Sequence, residues 1–278
     1  MWDKFLQLDR RWIFLITALC IIIPFILPIG LPMHVSPPVK NLYDKIEDIP
    51  PHGPALLLDF SLDASVLPEL EPMAIAIIQH CFKRNIRVIL MGLSTPAGVG
   101  IAQTILEDIK QEFPDKVSGV DYVLMPYVVG WYIVILRIGE GIHKTFETDY
   151  YGVSLDSLPM MQDIYNYDQI ALVVTLTGSG IPWITYANAR YGQEVGAGVT
   201  AVMAPEFYPF LQTNQLVGML GGLKGAAEYE TLVEGNLGFK GRKIACIGMD
   251  SQSVVHIMMI VFIILGNVAY FVMRRRSR

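Results

Sequence analysis

Apolar residues in this chain are grouped in two ways. Near each end lies one long uninterrupted run: residues 12–31 and 254–273 each hold twenty positions without a charge. At 1.5 Å rise per residue, such a run crosses a hydrocarbon core about 30 Å thick. Arg10 and Arg11 precede the first run, and Arg274, Arg275, Arg276 and Arg278 follow the second. The pattern predicts transmembrane helices over 12–33 and 254–273. The first reads as an uncleaved anchor, because its apolar stretch exceeds the about 7–15 residues of a signal-peptide core and no small-residue cleavage site follows. Pro24 and Pro28 are expected to kink it, since each lacks a backbone donor.

Between the ends, apolar runs are short and alternate with helical spacing. A Pro-rich connector over 34–54 holds one helix-like piece at 39–46. Residues 55–60 (ALLLDF) then read as a strand buried on both faces. Met73, Ile77, Ile78 and Phe82 recur at helical intervals within 69–84. Further strands are predicted at 87–91, 121–125, 169–176, 198–203 and 243–248. Helices are predicted at 97–113, with Ser94 or Thr95 as N-cap and Pro96 in the first turn, and at 131–146, 182–191 and 211–233. This alternation predicts an α/β domain over 55–250, Rossmann-like and three-layered. Its mostly parallel sheet carries helices on both faces, and the domain is inserted between the two transmembrane helices.

Charge changes the picture. Hydrophobic residues make up 53% of the chain and its mean hydropathy is positive, an excess to which the terminal runs contribute. Setting aside the seven basic and two acidic residues of the tails 1–11 and 274–278, the chain's 21 basic and 26 acidic residues become 14 against 24, a net of −10. Nucleic acid is thereby excluded as a partner, because its binding needs clustered Lys and Arg. Anionic headgroups would repel such a domain. The tails hold seven basic residues, against five on the domain's flanks: Lys40, Lys45, Lys240, Arg242 and Lys243. The bias predicts both tails in the cytoplasm and the domain outside, periplasmic or on the cell surface if the cell is bacterial. Cys20 falls in the first run, and Cys81 and Cys246 read either as one disulfide or as two buried thiols.

In open α/β sheets ligands bind beyond the carboxyl ends of the strands. The predicted ends carry Asp59, Ser94, Thr95, Tyr127, Thr177, Ser179 and Glu206. Asp59 is the candidate catalytic acid, suited to general-base or metal chemistry. Asp63, Glu69 and Glu71 read equally well as dipole partners of a helix N-terminus. Residues 93–100 (LSTPAGVG) lack a complete G-x-G-x-x-G and a Walker lysine, and residues 177–180 (TGSG) do not make G-x-S-x-G. Caps and turns explain both stretches. None of His34, His52, His80, His143 and His256 lies at metal-ligand spacing from another. Neither a metal nor a cofactor is expected.

Residues 215–230 (QLVGMLGGLKGAAEYE) are the least ordinary stretch. In a helix each glycine costs about 1 kcal/mol relative to alanine. Gly218, Gly221, Gly222, Gly225 and Ala226 would leave one face nearly bare, as in small-xxx-small packing. That face could meet another membrane protein or a second copy of this chain, or pack on the domain's own sheet; alternatively the glycines break the helix. Asn267, inside the second apolar run, is expected to face another helix. The sequence points to a membrane-anchored, non-enzymatic structural or accessory subunit of a larger assembly. Its expected partners are the lipid bilayer and other membrane proteins or itself. The alternatives are an envelope hydrolase using the strand-end residues and a receptor domain for a small ligand.

Overall fold

The computed structural model describes residues 9–238 and 243–276, in two bodies: Met33–Arg242, and Met1–Pro32 together with Lys243–Arg278. Lys4, Lys240, Arg242 and Arg278, which entered the charge comparison, lie outside the described residues.

The first body opens with helix α2 (Pro37–Glu47) and is built on six strands: β1 (Ala55–Ser61), β2 (Val88–Met91), β3 (Tyr122–Leu124), β4 (Ile170–Thr177), β5 (Val195–Val199) and β6 (Met219–Gly221). Every neighbouring pair is parallel, and the order is β3-β2-β1-β4-β5-β6. The expected Rossmann-like α/β architecture is therefore present, with β1 and β4 paired where the strand order reverses. β1 is buried at all seven positions, as a strand covered on both faces must be.

Helices α3 (Leu67–Lys83) and α4 (Pro96–Lys110) follow β1 and β2 and pack on each other, and α9 (Gly222–Leu237) packs on both α3 and α2. The opposite layer contains α5 (Trp131–Glu140), α6 (Ile142–Thr145), three short 3-10 turns, α7 (the helical stretch 182–191) and α8 (Ala204–Gln212). Its core joins Leu57, Ile89, Val123, Val173 and Ala197 of the sheet to Val134, Ile138, Trp183 and Phe207. At α4 the helix comes so close to β1 that a Cβ on Gly98 would lie 2.0 Å from the Phe60 carbonyl oxygen. Helix–strand contact thus explains Gly98 in LSTPAGVG.

Several predicted elements move. The helix expected over 211–233 does not form. α8 ends at Gln212, β6 supplies the sixth strand, and α9 begins at Gly222 with φ +60°, a conformation that favours glycine. The bare helical face therefore does not exist as such. Gly218 lies where a Cβ would meet the Leu42 amide nitrogen at 2.4 Å, and at Gly225 it would meet the Leu220 carbonyl carbon at 2.8 Å. Gly221 closes β6, and Ala226 is fully buried in α9. These small residues let the chain approach itself. The strand expected at 198–203 starts earlier, because Gly196 and Gly198, which resemble turn residues, face Leu42 and Met73 within β5. The helix expected over 131–146 breaks at Gly141. Cys81 is a free, fully buried thiol whose pKa burial pushes up.

The second body pairs α1 (Arg10–Ile26) with α10 (Ile244–Arg276). Residues Ile244–Val272 of α10 form a helix long and apolar enough to cross a membrane. The strand expected at 243–248 is instead the start of this helix. α1 is shorter than predicted. Its 17 residues span about 26 Å at helical rise, and it stops before Pro28, with Pro24 inside it. The backbone amides of Ile29, Gly30 and Leu31 all donate to the Asp250 carboxylate, at 3.0, 2.8 and 3.1 Å. The Ser251 hydroxyl donates to the Ile21 carbonyl at 3.2 Å. Asn267 is exposed and turns back on its own helix, donating to the Ile263 carbonyl at 3.0 Å.

Candidate functional site

Polar residues interrupt β1 and β4 at alternate positions near their carboxyl ends. Asp59 and Ser61 of β1 stand in register with Thr175 and Thr177 of β4. Alternate residues share a sheet face, so all four project toward the layer that holds Trp183. Asp59 is fully buried. Its Oδ2 accepts from Ser61 Oγ at 2.7 Å, Thr175 Oγ1 at 2.8 Å and Trp183 Nε1 at 2.8 Å, and its Oδ1 accepts from the Leu93 amide at 3.2 Å. Burial pushes the Asp59 pKa up, and hydrogen bonds from Ser61, Trp183, Thr175 and Leu93 pull it the other way. No ion pair to Asp59 exists among the described residues. The carboxylate knits β1, β4, the β2 exit and the 182–191 helix together.

Above this knot lies an open cleft of about 470 Å³, lined by Ser94, Trp131, Ser179, Gly180, Ile181, Pro182, Thr185 and Tyr186. It opens beyond β2, β3 and β4, near the reversal of strand order where open α/β sheets bind ligands. The 182–191 helix shapes one wall through a π turn over Ile184–Asn188, in which the Ala189 amide donates to the Ile184 carbonyl. Such turns shift side chains around a helix and are frequent at functional sites. Here Trp183 is buried on Asp59 while Thr185 and Tyr186 line the cleft. Trp131 packs against Tyr186 with ring centroids 5.7 Å apart and planes at 70°.

The predicted site residues divide accordingly. Ser94 and Ser179 reach the cleft, and Thr177 supports it by accepting from the Ser179 amide at 3.0 Å. Asp59 lies outside the lining, although it contacts Leu93 and Trp183, each one residue from a lining position. Thr95 also lies outside, its Oγ1 buried with no hydrogen-bond partner. Glu206 is exposed in the first turn of α8 and is not part of the group. Glu69 braces the β5 exit by accepting from the Ala201 amide at 2.8 Å. Sequence reasoning missed Ser61, Thr175, Trp183, Trp131, Thr185 and Tyr186. Polar residues two apart in ALLLDFS and VVTLT were the available signal for the first two. Among the described residues, no group of three or more His, Cys, Asp or Glu is placed to hold a metal ion.

A second buried titratable cluster lies in the opposite layer. His80 of α3 is fully buried, with Nδ1 2.7 Å from the Tyr229 hydroxyl and Nε2 2.8 Å from Glu47 Oε2. Tyr43 stacks on its ring at 4.5 Å, and Arg84 pairs with Glu47 at 3.1 Å. These contacts suit a neutral imidazole that donates from Nε2 and accepts from Tyr229. Burial lowers the His80 pKa, and the bond to Glu47 opposes that shift.

No protein-family model matches the chain, and no curated protein or solved structure is significantly similar to it.

Proposed function

We propose that this chain is a membrane-anchored, non-enzymatic subunit of a larger assembly, and that it holds its partner at the strand-end cleft. The carrying observation is the cleft's lining: serine and threonine hydroxyls, a glycine, aliphatic surface and two aromatic rings, with no Asp, Glu, His, Lys, Arg or Cys among them. Such a lining suits binding by shape, stacking and neutral hydrogen bonds. A hydrolase at this site would need Asp59 to reach a substrate, yet four donors already occupy its carboxylate. The proposed topology has α1 and α10 crossing the membrane together, both tails cytoplasmic and the domain outside. Charge bias at the termini and the Asp250 bonds to the exit of α1 support it.

Full-length protein extracted from native membranes in mild detergent should run in native mass spectrometry as a particle with other subunits. Trp131→Ala, a change at a partly exposed ring, should release them while the chain stays folded. A single-chain particle from wild type, or an unchanged assembly in the variant, would refute the reading. Reporters fused to either terminus test the topology, for which both should read cytoplasmic.

A further inference from the structure

The chemistry around the cleft points to the kind of group it receives. The loops leaving the carboxyl ends of the strands, with the first turns of the helices that follow, carry three acids: Asp63, Glu69 and Glu206. Their one base is Lys224, which pairs with Glu228 a turn further along α9. Asp63 is held ionised, because Ser65 donates to it from both hydroxyl and amide, at 2.6 and 2.8 Å. Beneath the floor, Asp59 accepts four hydrogen bonds and has no cationic partner among the described residues. Burial pushes the Asp59 pKa up, so the loop acids and not Asp59 supply the field. The domain's net charge of −10 has the same sign. A cleft with low-dielectric walls focuses such a field and selects cations.

The walls refine the choice. Trp131 is 39% exposed and shares the cleft with Tyr186. Indole and phenol faces attract cations, guanidinium most often. The Ser94, Ser179 and Thr185 hydroxyls can accept N–H bonds.

We infer that the cleft receives a guanidinium group, an arginine side chain presented by the partner polypeptide, stacked on Trp131 with its N–H groups directed at the hydroxyl rim. This rests on the binding reading above and names its ligand chemistry. Stacking and field act together, since a neutral planar group would keep the first and lose the second.

The test uses the full chain in non-ionic detergent, labelled with 5-fluorotryptophan. The Trp131 ¹⁹F line is assigned by its loss in Trp131→Phe. N-acetyl-arginine amide should shift that line saturably, and N-acetyl-citrulline amide, its neutral isostere, should bind about tenfold more weakly. Added salt should weaken the arginine response. In Trp131→Ala, saturation-transfer NMR should show the arginine signal lost. Citrulline binding within about twofold of arginine, or no saturable shift with either, would overturn the inference. Choline separates guanidinium from cations in general, and equal binding of choline would also overturn it. If the arginine probe fails while partners still co-purify and are released by Trp131→Ala, the binding reading stands and only the guanidinium assignment falls.

Discussion

The two layers over the sheet treat their buried ionisable groups differently. In one, His80 sits in a closed chain from Tyr229 to Glu47 and Arg84 and stacks on Tyr43. In the other, Asp59 gathers four neutral donors, meets no counter-ion among the described residues and underlies an open cleft. His80 has opposite charge within reach and packs against the Tyr43 and Tyr229 rings, as expected of a group that fixes the packing of α2, α3 and α9. Asp59 holds backbone exits in place around an empty volume. Burial alone does not mark a site. A buried polar group whose sequence neighbours line a cleft does.

The largest expected effect comes from removing the closed cluster. His80→Ala deletes a stacked ring and leaves the Tyr229 hydroxyl unpaired, at a cost of about 4 kcal/mol. Denaturant unfolding of the full chain in detergent checks the loss. Refolded His80→Ala should keep its arginine response at Trp131, and loss of that response would show the two layers to be coupled.

Asp59→Asn should have a smaller effect on stability and a clear one on the cleft. The amide offers one acceptor oxygen where two oxygens now serve the Trp183 indole and the Leu93 amide, so about 2 kcal/mol is lost. Arginine-probe affinity should fall as well. If the variant is instead more stable than wild type, the buried carboxyl is maintained at the expense of the fold, which would strengthen a binding role for it.

Much of this architecture was legible because β1 and β2 are continuous apolar runs and α3 and α4 keep helical spacing after them. Asp59 stood out as the one charge in such a strand. The carboxyl-terminal part was harder to read. Gly196, Gly198, Gly218 and Gly222 look locally like turn or helix-packing residues, yet they are needed where α2, α3 and the β5 exit come within contact distance. Such contacts join residues far apart in sequence, and no local period encodes them. Tyr186 and Trp131 were hidden for a related reason. A π turn assigns the first its direction, and the second comes from the exit of β3, which two strands separate from β4.

The smallest expected effect is the difference in pH response between the layers. His80 has a folded pKa below its unfolded value, so its contribution is intact above about 6.5 and is lost as pH falls, since the unfolded chain takes up the proton first. Asp59 has a raised folded pKa, so its contribution is present below about 3.9 and is lost as pH rises through the folded value. One proton can tilt stability by at most about 1.4 kcal/mol per pH unit. Unfolding of the full chain at stepped pH should therefore show an acid-side decline below about 6.5 that His80→Phe abolishes, because phenylalanine keeps the stack on Tyr43 without titrating. The same curve for Asp59→Asn should keep that decline and lose the opposing slope that begins above about 3.9. A His80→Phe curve matching wild type would mean that His80 keeps its ordinary pKa, with the Glu47 bond offsetting desolvation in full, and the contrast between the two buried groups would fail.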